Sequence, residues 1–160
     1  MNDARTIFVD SDAFVALTIT NDSNHRKAVS LLNRLLETPA KFFTSNYVFS
    51  ESITVISQRS SHAAAVAYIS KMQAPDSPFQ ITRADEAVDE AALQIFKQQT
   101  SKNTSFVDCT NMAYLQKAHR LRLDAIFSFD AIYKKNGFLS VADFVATAPP
   151  ETPDDGRDAA

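Results

Sequence analysis

Two apolar patterns alternate along the chain: short unbroken runs of β-branched and aromatic residues, and longer stretches where apolar positions recur every three or four. The first run, residues 6–9 (TIFV), ends at Asp10 and shows no polar alternation, as a strand buried on both faces requires. It is placed mid-sheet. Residues 11–20 open with capping-type side chains and continue as an apolar helix. Residues 24–37 keep helical spacing through Ala28, Leu31, Leu32, Leu35 and Leu36, until Pro39 closes the helix. Residues 41–44 give a second strand. Ser45 or Asn46 caps a third helix reaching about Arg59, and Ser60 or Ser61 caps a fourth through Met72.

Pro75 and Pro78 frame the turn into a third strand at 79–82, and a helix over 84–99 follows, with Ala87, Ala91 and Ile95 on one face beside Val88 and Leu93. Residues 100–104 are polar and read as a loop. A helix over 106–120, a strand over 125–128 and a short helical turn over 131–135 come next, the turn ending at Asn136-Gly137. A fifth short strand is predicted at 138–141. Strands separated by helices predict an α/β fold: a mostly parallel sheet of about five strands, covered by helices, because parallel neighbours need long crossovers. No internal repeat is evident.

With 160 residues, 45% of them hydrophobic, the chain supplies one domain with a full core and is short for two. Residues 147–160 hold Pro149, Pro150 and Pro153, four acids and one arginine, with no large apolar side chain, and are expected to be a disordered acidic tail. The tail's net charge of -3 equals that of the whole chain, so the preceding residues sum to zero. Local basic groups remain there: His25-Arg26-Lys27, Lys117 to Arg122, and Lys134-Lys135. They suit a phosphate-bearing substrate and also suit plain solvated helix faces. The single cysteine, Cys109, excludes an internal disulfide and reads as a small buried residue, and no Cys/His spacing suits zinc. Neither a signal segment nor a run long enough to span a bilayer is visible, so a cytoplasmic protein with no membrane role is expected.

Four acids carry the candidate chemistry. Asp10 and Asp130 follow apolar strand sequences, where an open parallel sheet binds its ligands. Glu51 falls at helical spacing from Val48 and Val55, and Asp108 from Met112 and Leu115, so each is expected among apolar neighbours, where a lone charge is costly. Carboxylates about 6 Å apart repel by roughly 3 kcal/mol per pair at an effective dielectric of about 20. A cluster of four would therefore call for a cation. Each acid also has a plain alternative: a helix cap for Asp10, Asp108 and Asp130, a structural ion pair for Glu51.

The segments IFVDSDAF, TSNYVFSESITVI, SFVDCTNMAYLQKAH and DAIFSFDAIYKKNGF, in this order and at this spacing over about residues 6–145, resemble the PIN-domain family, particularly the VapC-type ribonuclease toxins of prokaryotic toxin-antitoxin pairs. The resemblance implies a PIN-like (Rossmann-like) three-layer fold in a nuclease domain over residues 1–146, with 147–160 as the tail. It implies RNA phosphodiester hydrolysis with Mg²⁺ or Mn²⁺ held by Asp10, Glu51, Asp108 and Asp130. It also implies an RNA substrate, a cognate antitoxin protein and a homodimer.

Asp12, Ser128 and Asn111 are candidates for supporting roles: Asp12 as an outer ligand or a helix cap, Ser128 as a group orienting Asp130, Asn111 as a neighbour of the metal or a core hydrogen-bonder. His25, His62 and His119 match no catalytic pattern. Two other readings stand beside this one. The sequence FVDSD resembles the DxD of haloacid dehalogenase-like phosphatases, with Asp10 as nucleophile and Asp12 as acid/base, although Ala13 and Phe14 follow where that family has Gly or Thr. A PIN-like domain can also serve as a non-catalytic binding module, and a chromosomal PIN nuclease of RNA processing needs no antitoxin.

Overall fold

In a computed structural model that describes residues 4–117 and 119–145, strand β1 (Arg5–Val9) occupies an inner position of a four-stranded parallel sheet. Ile7, Phe8 and Val9 are wholly buried, which is why TIFV carries no polar alternation. The chain continues through α1 (Ser11–Thr18), α2 (His25–Leu36), β2 (Ala40–Ser45), α3 (Asn46–Arg59) and α4 (His62–Gln73). β3 (Phe79–Thr82), α5 (Glu86–Gln98), α6 (Phe106–Leu115), β4 (Ala125–Phe127), α7 (Ile132–Lys135) and α8 (Val141–Val145) complete it. The strand order is β3-β2-β1-β4, all neighbours parallel, with Ile7 opposite both Phe42 and Ala125. The predicted tail, residues 147–160, lies outside the described residues.

This order makes a switch point. From β1 the chain builds outward to β2 and β3, then returns to place β4 on the other side of β1. Crossovers on the two sides of β1 therefore diverge, and a crevice opens beyond the carboxyl ends of β1 and β4. The sheet is flanked by helices. α1 packs on α2 and α3, α3 on α4, α5 on α6, and α8 on α2. Phe8 stacks on Tyr114 of α6 with ring centroids 5.3 Å apart, and Phe14 of α1 meets Phe79 and Tyr68 edge-on at 5.1 and 5.7 Å. Full burial of a side chain such as Phe8 stabilises the fold by about 2–3 kcal/mol.

Three predicted boundaries shift. The sheet has four strands among the described residues rather than about five: residues 138–141 form a single parallel bridge, Ser140 to Ile126, and Val141 begins α8. The cause is local, since Asp143 accepts from Ser140 N–H and donates its own N–H to the Ser140 carbonyl, turning the chain into a helix. α1 ends at Thr18, where the Thr-Ile-Thr run favours extended backbone, and Ile19 is extended. α6 stops at Leu115 rather than Arg120, because the backbone is extended at Gln116 and a turn follows, closed by His119 N–H on the Gln116 carbonyl. Among the described residues no helix is long and apolar enough to cross a membrane.

Candidate active site

Asp10 sits directly after β1, only 4% exposed, and caps α1 by accepting from Ser11 N–H at 2.7 Å. Its backbone N–H is spent on the Phe127 carbonyl, the last residue of β4, so the carboxylate hangs over the switch point. Each of its oxygens has two partners. Oδ1 accepts from Ser11 N–H and from Asn111 Nδ2 at 2.9 Å; Oδ2 lies 3.0 Å from Ser128 Oγ and 2.9 Å from Tyr133 Oη. Asn111 is buried on α6 and also donates to Tyr133 Oη at 2.9 Å.

Asp108 reaches the same hydroxyl from the start of α6. It forms a reciprocal capping box with Ser105, accepting from Ser105 N–H at 2.8 Å, and its Oδ1 lies 3.1 Å from Tyr133 Oη. On the other side of Asp10, Ser128 Oγ lies 3.1 Å from Asp12 Oδ2, which also accepts from Phe129 N–H at 2.8 Å. Asp12 thus ties α1 to the end of β4. It does not cap the helix, because Asp10 already holds that position. Glu51 is half-buried at the edge of the α3 stripe rather than within it, since Val48, Ser52 and Ile56 are the buried residues, and it accepts from Ser11 Oγ at 2.6 Å.

Asp130 is the exception. Its side chain is exposed and caps α7 by accepting from Ile132 N–H at 2.9 Å, while its own N–H donates to Ser128 Oγ at 3.1 Å. Ser128 therefore orients the Asp130 backbone, not its carboxylate. Of the histidines, His25 bonds the Ala16 carbonyl, His119 accepts from Leu121 N–H, and His62 is exposed. Tyr133 and Ser11 were not among the predicted site residues. A tyrosine beside Ile132 in a short helix reads as an apolar anchor, and nothing in the sequence shows where its hydroxyl goes.

The hydrogens at this site do not suffice. Each hydroxyl carries one hydrogen, yet Ser128 Oγ lies between Asp10 and Asp12, and Tyr133 Oη between Asp10 and Asp108. Two of these four oxygen–oxygen contacts therefore lack a hydrogen if all three carboxylates are ionised. Either a proton or a cation must compensate. Burial, reinforced by the Asp12 charge, pushes the Asp10 carboxyl up to about 8, and burial pushes Asp12 up to about 6. Asp12 Oδ1 and Asn111 Oδ1 are buried without a partner. Among the described residues no three acids are drawn together as a ready-made cation cage; hydroxyls and an amide hold them apart. The candidate donors are all oxygens, the unpartnered Asn111 Oδ1 among them, and carry excess negative charge, which fits a hard divalent cation.

The family model of the PIN domain matches residues 7–139, from β1 to beyond α7. The chain belongs to the PIN domain family. All four acids lie within the matched stretch. The chain is 29% identical over 135 residues to the 23S rRNA-specific endonuclease VapC20 of Mycobacterium tuberculosis, in strains CDC 1551 / Oshkosh and H37Rv, covering 84% of this chain and 97% of that protein. The crystal structure of Mycobacterium tuberculosis VapC20, described as a Sarcin-Ricin loop cleaving toxin, superposes with a TM-score of 0.72 at 26% identity, over 83% of this chain and 96% of that one.

Proposed function

We propose that this PIN domain is a divalent-cation-dependent ribonuclease of the VapC type, the toxin of a type II toxin-antitoxin pair acting in the cytoplasm. The observation that carries the reading is the assembly of Asp10, Asp108 and Asn111 on one hydroxyl at the β1/β4 switch point, short of hydrogens and rich in negative charge. Asp10 and Asp108 would hold Mg²⁺ or Mn²⁺, Glu51 would complete the site from α3, and Asp130 would act from the rim. When bound, the cation supplies charge neutralisation at the scissile phosphate and an activated nucleophile at neutral pH.

The chain's own groups do the positioning. Asn111 and Ser11 N–H fix one Asp10 oxygen and Ser128 reaches the other, so the carboxylate is held in place. Ser11 aims Glu51, and the capping box fixes Asp108 to α6. Lys27 sits 5.8 Å from the ring of Phe129, next to Ser128, and supports the approach of an RNA phosphate beside the acids. An apolar groove lined by Phe14, Leu17, Leu32, Tyr68, Met72 and Phe79, of about 540 Å³, offers surface for an antitoxin segment. A homodimer is part of the same reading. The nuclease unit spans residues 1–146.

The substrate of VapC20 makes 23S ribosomal RNA the first RNA to test. Purified chain is incubated with ribosomal, transfer and messenger RNA in Mg²⁺ or Mn²⁺, and RNA ends are sequenced. Cleavage that disappears with chelator and in Asp10→Asn supports the proposal; cleavage that persists under chelation sinks it.

A further inference from the structure

We infer that Tyr133 is a positioning residue of the cation site: its hydroxyl holds the Asp108 carboxylate facing Asp10, so that both are aimed at one point before a cation arrives. The inference rests on the cation-dependent nuclease reading. It goes beyond it by giving a residue outside the acid set a defined task.

Tyr133 lies on α7, a helix of four residues whose other members are half-buried or exposed, yet its own exposure is 1%. The placement is built from both ends. Asp130 caps the first turn through Ile132 N–H, Asn136 returns its amide to the Ile132 carbonyl, and Phe138 N–H closes on the Tyr133 carbonyl at 3.0 Å. Lys134 pairs with Asp143 of α8 at 2.8 Å and pins the outer face. A phenylalanine would fill the same space. Burying a hydroxyl costs free energy unless it is bonded, so packing alone does not call for the oxygen.

What the oxygen contacts explains it. It accepts from Asn111 of α6 and lies within hydrogen-bond reach of Asp10 and Asp108, joining the end of β1 to the start of α6 through α7. The two acids depend on it unequally. Asp10 keeps Ser11 N–H, Asn111 and Ser128 without it, whereas Asp108 Oδ1 has Tyr133 as its partner and Oδ2 has Ser105 N–H. Loss of the hydroxyl therefore frees one Asp108 oxygen to turn away while leaving Asp10 in place. Partners that orient metal ligands in this way typically contribute about 10–100-fold in metal affinity.

The test is Tyr133→Phe in the full chain, with Mn²⁺ as the probe. Calorimetry should show Mn²⁺ binding about ten-fold weaker than wild type, with a changed Mn²⁺ electron paramagnetic resonance spectrum, while far-ultraviolet circular dichroism and cooperative unfolding are retained. Tyr114→Phe, which removes a buried hydroxyl at the far end of α6, should bind Mn²⁺ as wild type does. On RNA, Tyr133→Phe should lower kcat with little change in KM. Because Tyr133 acts through Asp108, adding Tyr133→Phe to Asp108→Asn should cost no further Mn²⁺ affinity. Wild-type affinity in Tyr133→Phe, or additive losses in the double variant, overturns the inference and leaves the nuclease reading standing. A wild-type chain that binds no Mn²⁺ and cleaves no RNA overturns both.

Discussion

Ser128, the residue after β4, places its hydroxyl 3.0 Å from Asp10, the residue after β1, across two neighbouring parallel strands. The same oxygen contacts Asp12 and accepts from Asp130 N–H. Ser128→Ala removes all three contacts without making a cavity larger than one oxygen. It should destabilise the chain by about 1–2 kcal/mol in chemical denaturation, with the slope of the transition unchanged. A loss below about 0.3 kcal/mol would mean that solvent replaces the hydroxyl at no cost.

Asp10→Asn should reduce RNA cleavage by at least about a hundred-fold, since it removes the negative charge on which cation binding depends. Glu51→Gln should also lower cleavage, with little effect on folding, because Glu51 is half-buried and its contact is to the Ser11 hydroxyl alone among the described hydrogen bonds. Single-turnover cleavage rates at saturating Mg²⁺ measure both. No divalent-dependent cleavage by the wild-type chain, with RNA or protein binding unchanged in Asp10→Asn, would point to the non-catalytic binding module.

Asp130 has two separable tasks. Asp130→Asn keeps an oxygen to cap α7 and should leave stability within about 0.5 kcal/mol of wild type, whereas Asp130→Ala should cost about 1 kcal/mol more. If Asp130 also serves the cation from the rim, both variants should lower cleavage by a similar factor. Activity that follows stability, falling only in the alanine variant, would reduce Asp130 to a cap.

Without cations, stability should fall as pH rises from about 4 to about 8. Asp10 is raised from 3.8 to about 8 and Asp12 from 3.8 to about 6, both chiefly by burial. Across that window the folded chain keeps protons that the unfolded chain has released, so each pH unit costs up to about 1.4 kcal/mol per such group. Asp22 and Asp143 are lowered by hydrogen bonds and ion pairs, so their stabilising effect is lost only as pH falls below 3.8. A divalent cation binds the ionised carboxylates and should restore more stability at pH 8 than at pH 5. Denaturation midpoints in chelator and in Mn²⁺ at pH 5, 6.5 and 8 test the sign; midpoints that climb with pH in chelator contradict it.

Most of this architecture was legible from the chain because its signals are local. TIFV, AKFFTS and the β4 run announce buried strands, and Ser45, Ser61 and Ser105 each cap a helix with the side chain. The fifth strand failed because Ser140 and Asp143 close a helix start across three residues, and that signal outweighs the apolar run before it. Of the site, Asp10 and Asp108 were readable as charges beside apolar runs. Glu51 lies at the edge of its stripe, because one residue of phase separates the two outcomes on a helix, and Asp130 faces outward because its carboxylate accepts from Ile132 N–H. Tyr133 was not readable at all: an aromatic ring and a bridging hydroxyl have the same letter, and only long-range geometry tells them apart.

The strand order also governs when this site can exist. Asp10 is made early, but Asn111, Ser128 and Tyr133 come 101 to 123 residues later. β1 acquires its β4 neighbour only once that late segment has left the ribosome. A nascent chain halted before β4 therefore carries Asp10 without its Ser128 and Tyr133 partners. Contacts of such long sequence separation close slowly, so the crevice takes its final shape only after the codon for Tyr133 has been read.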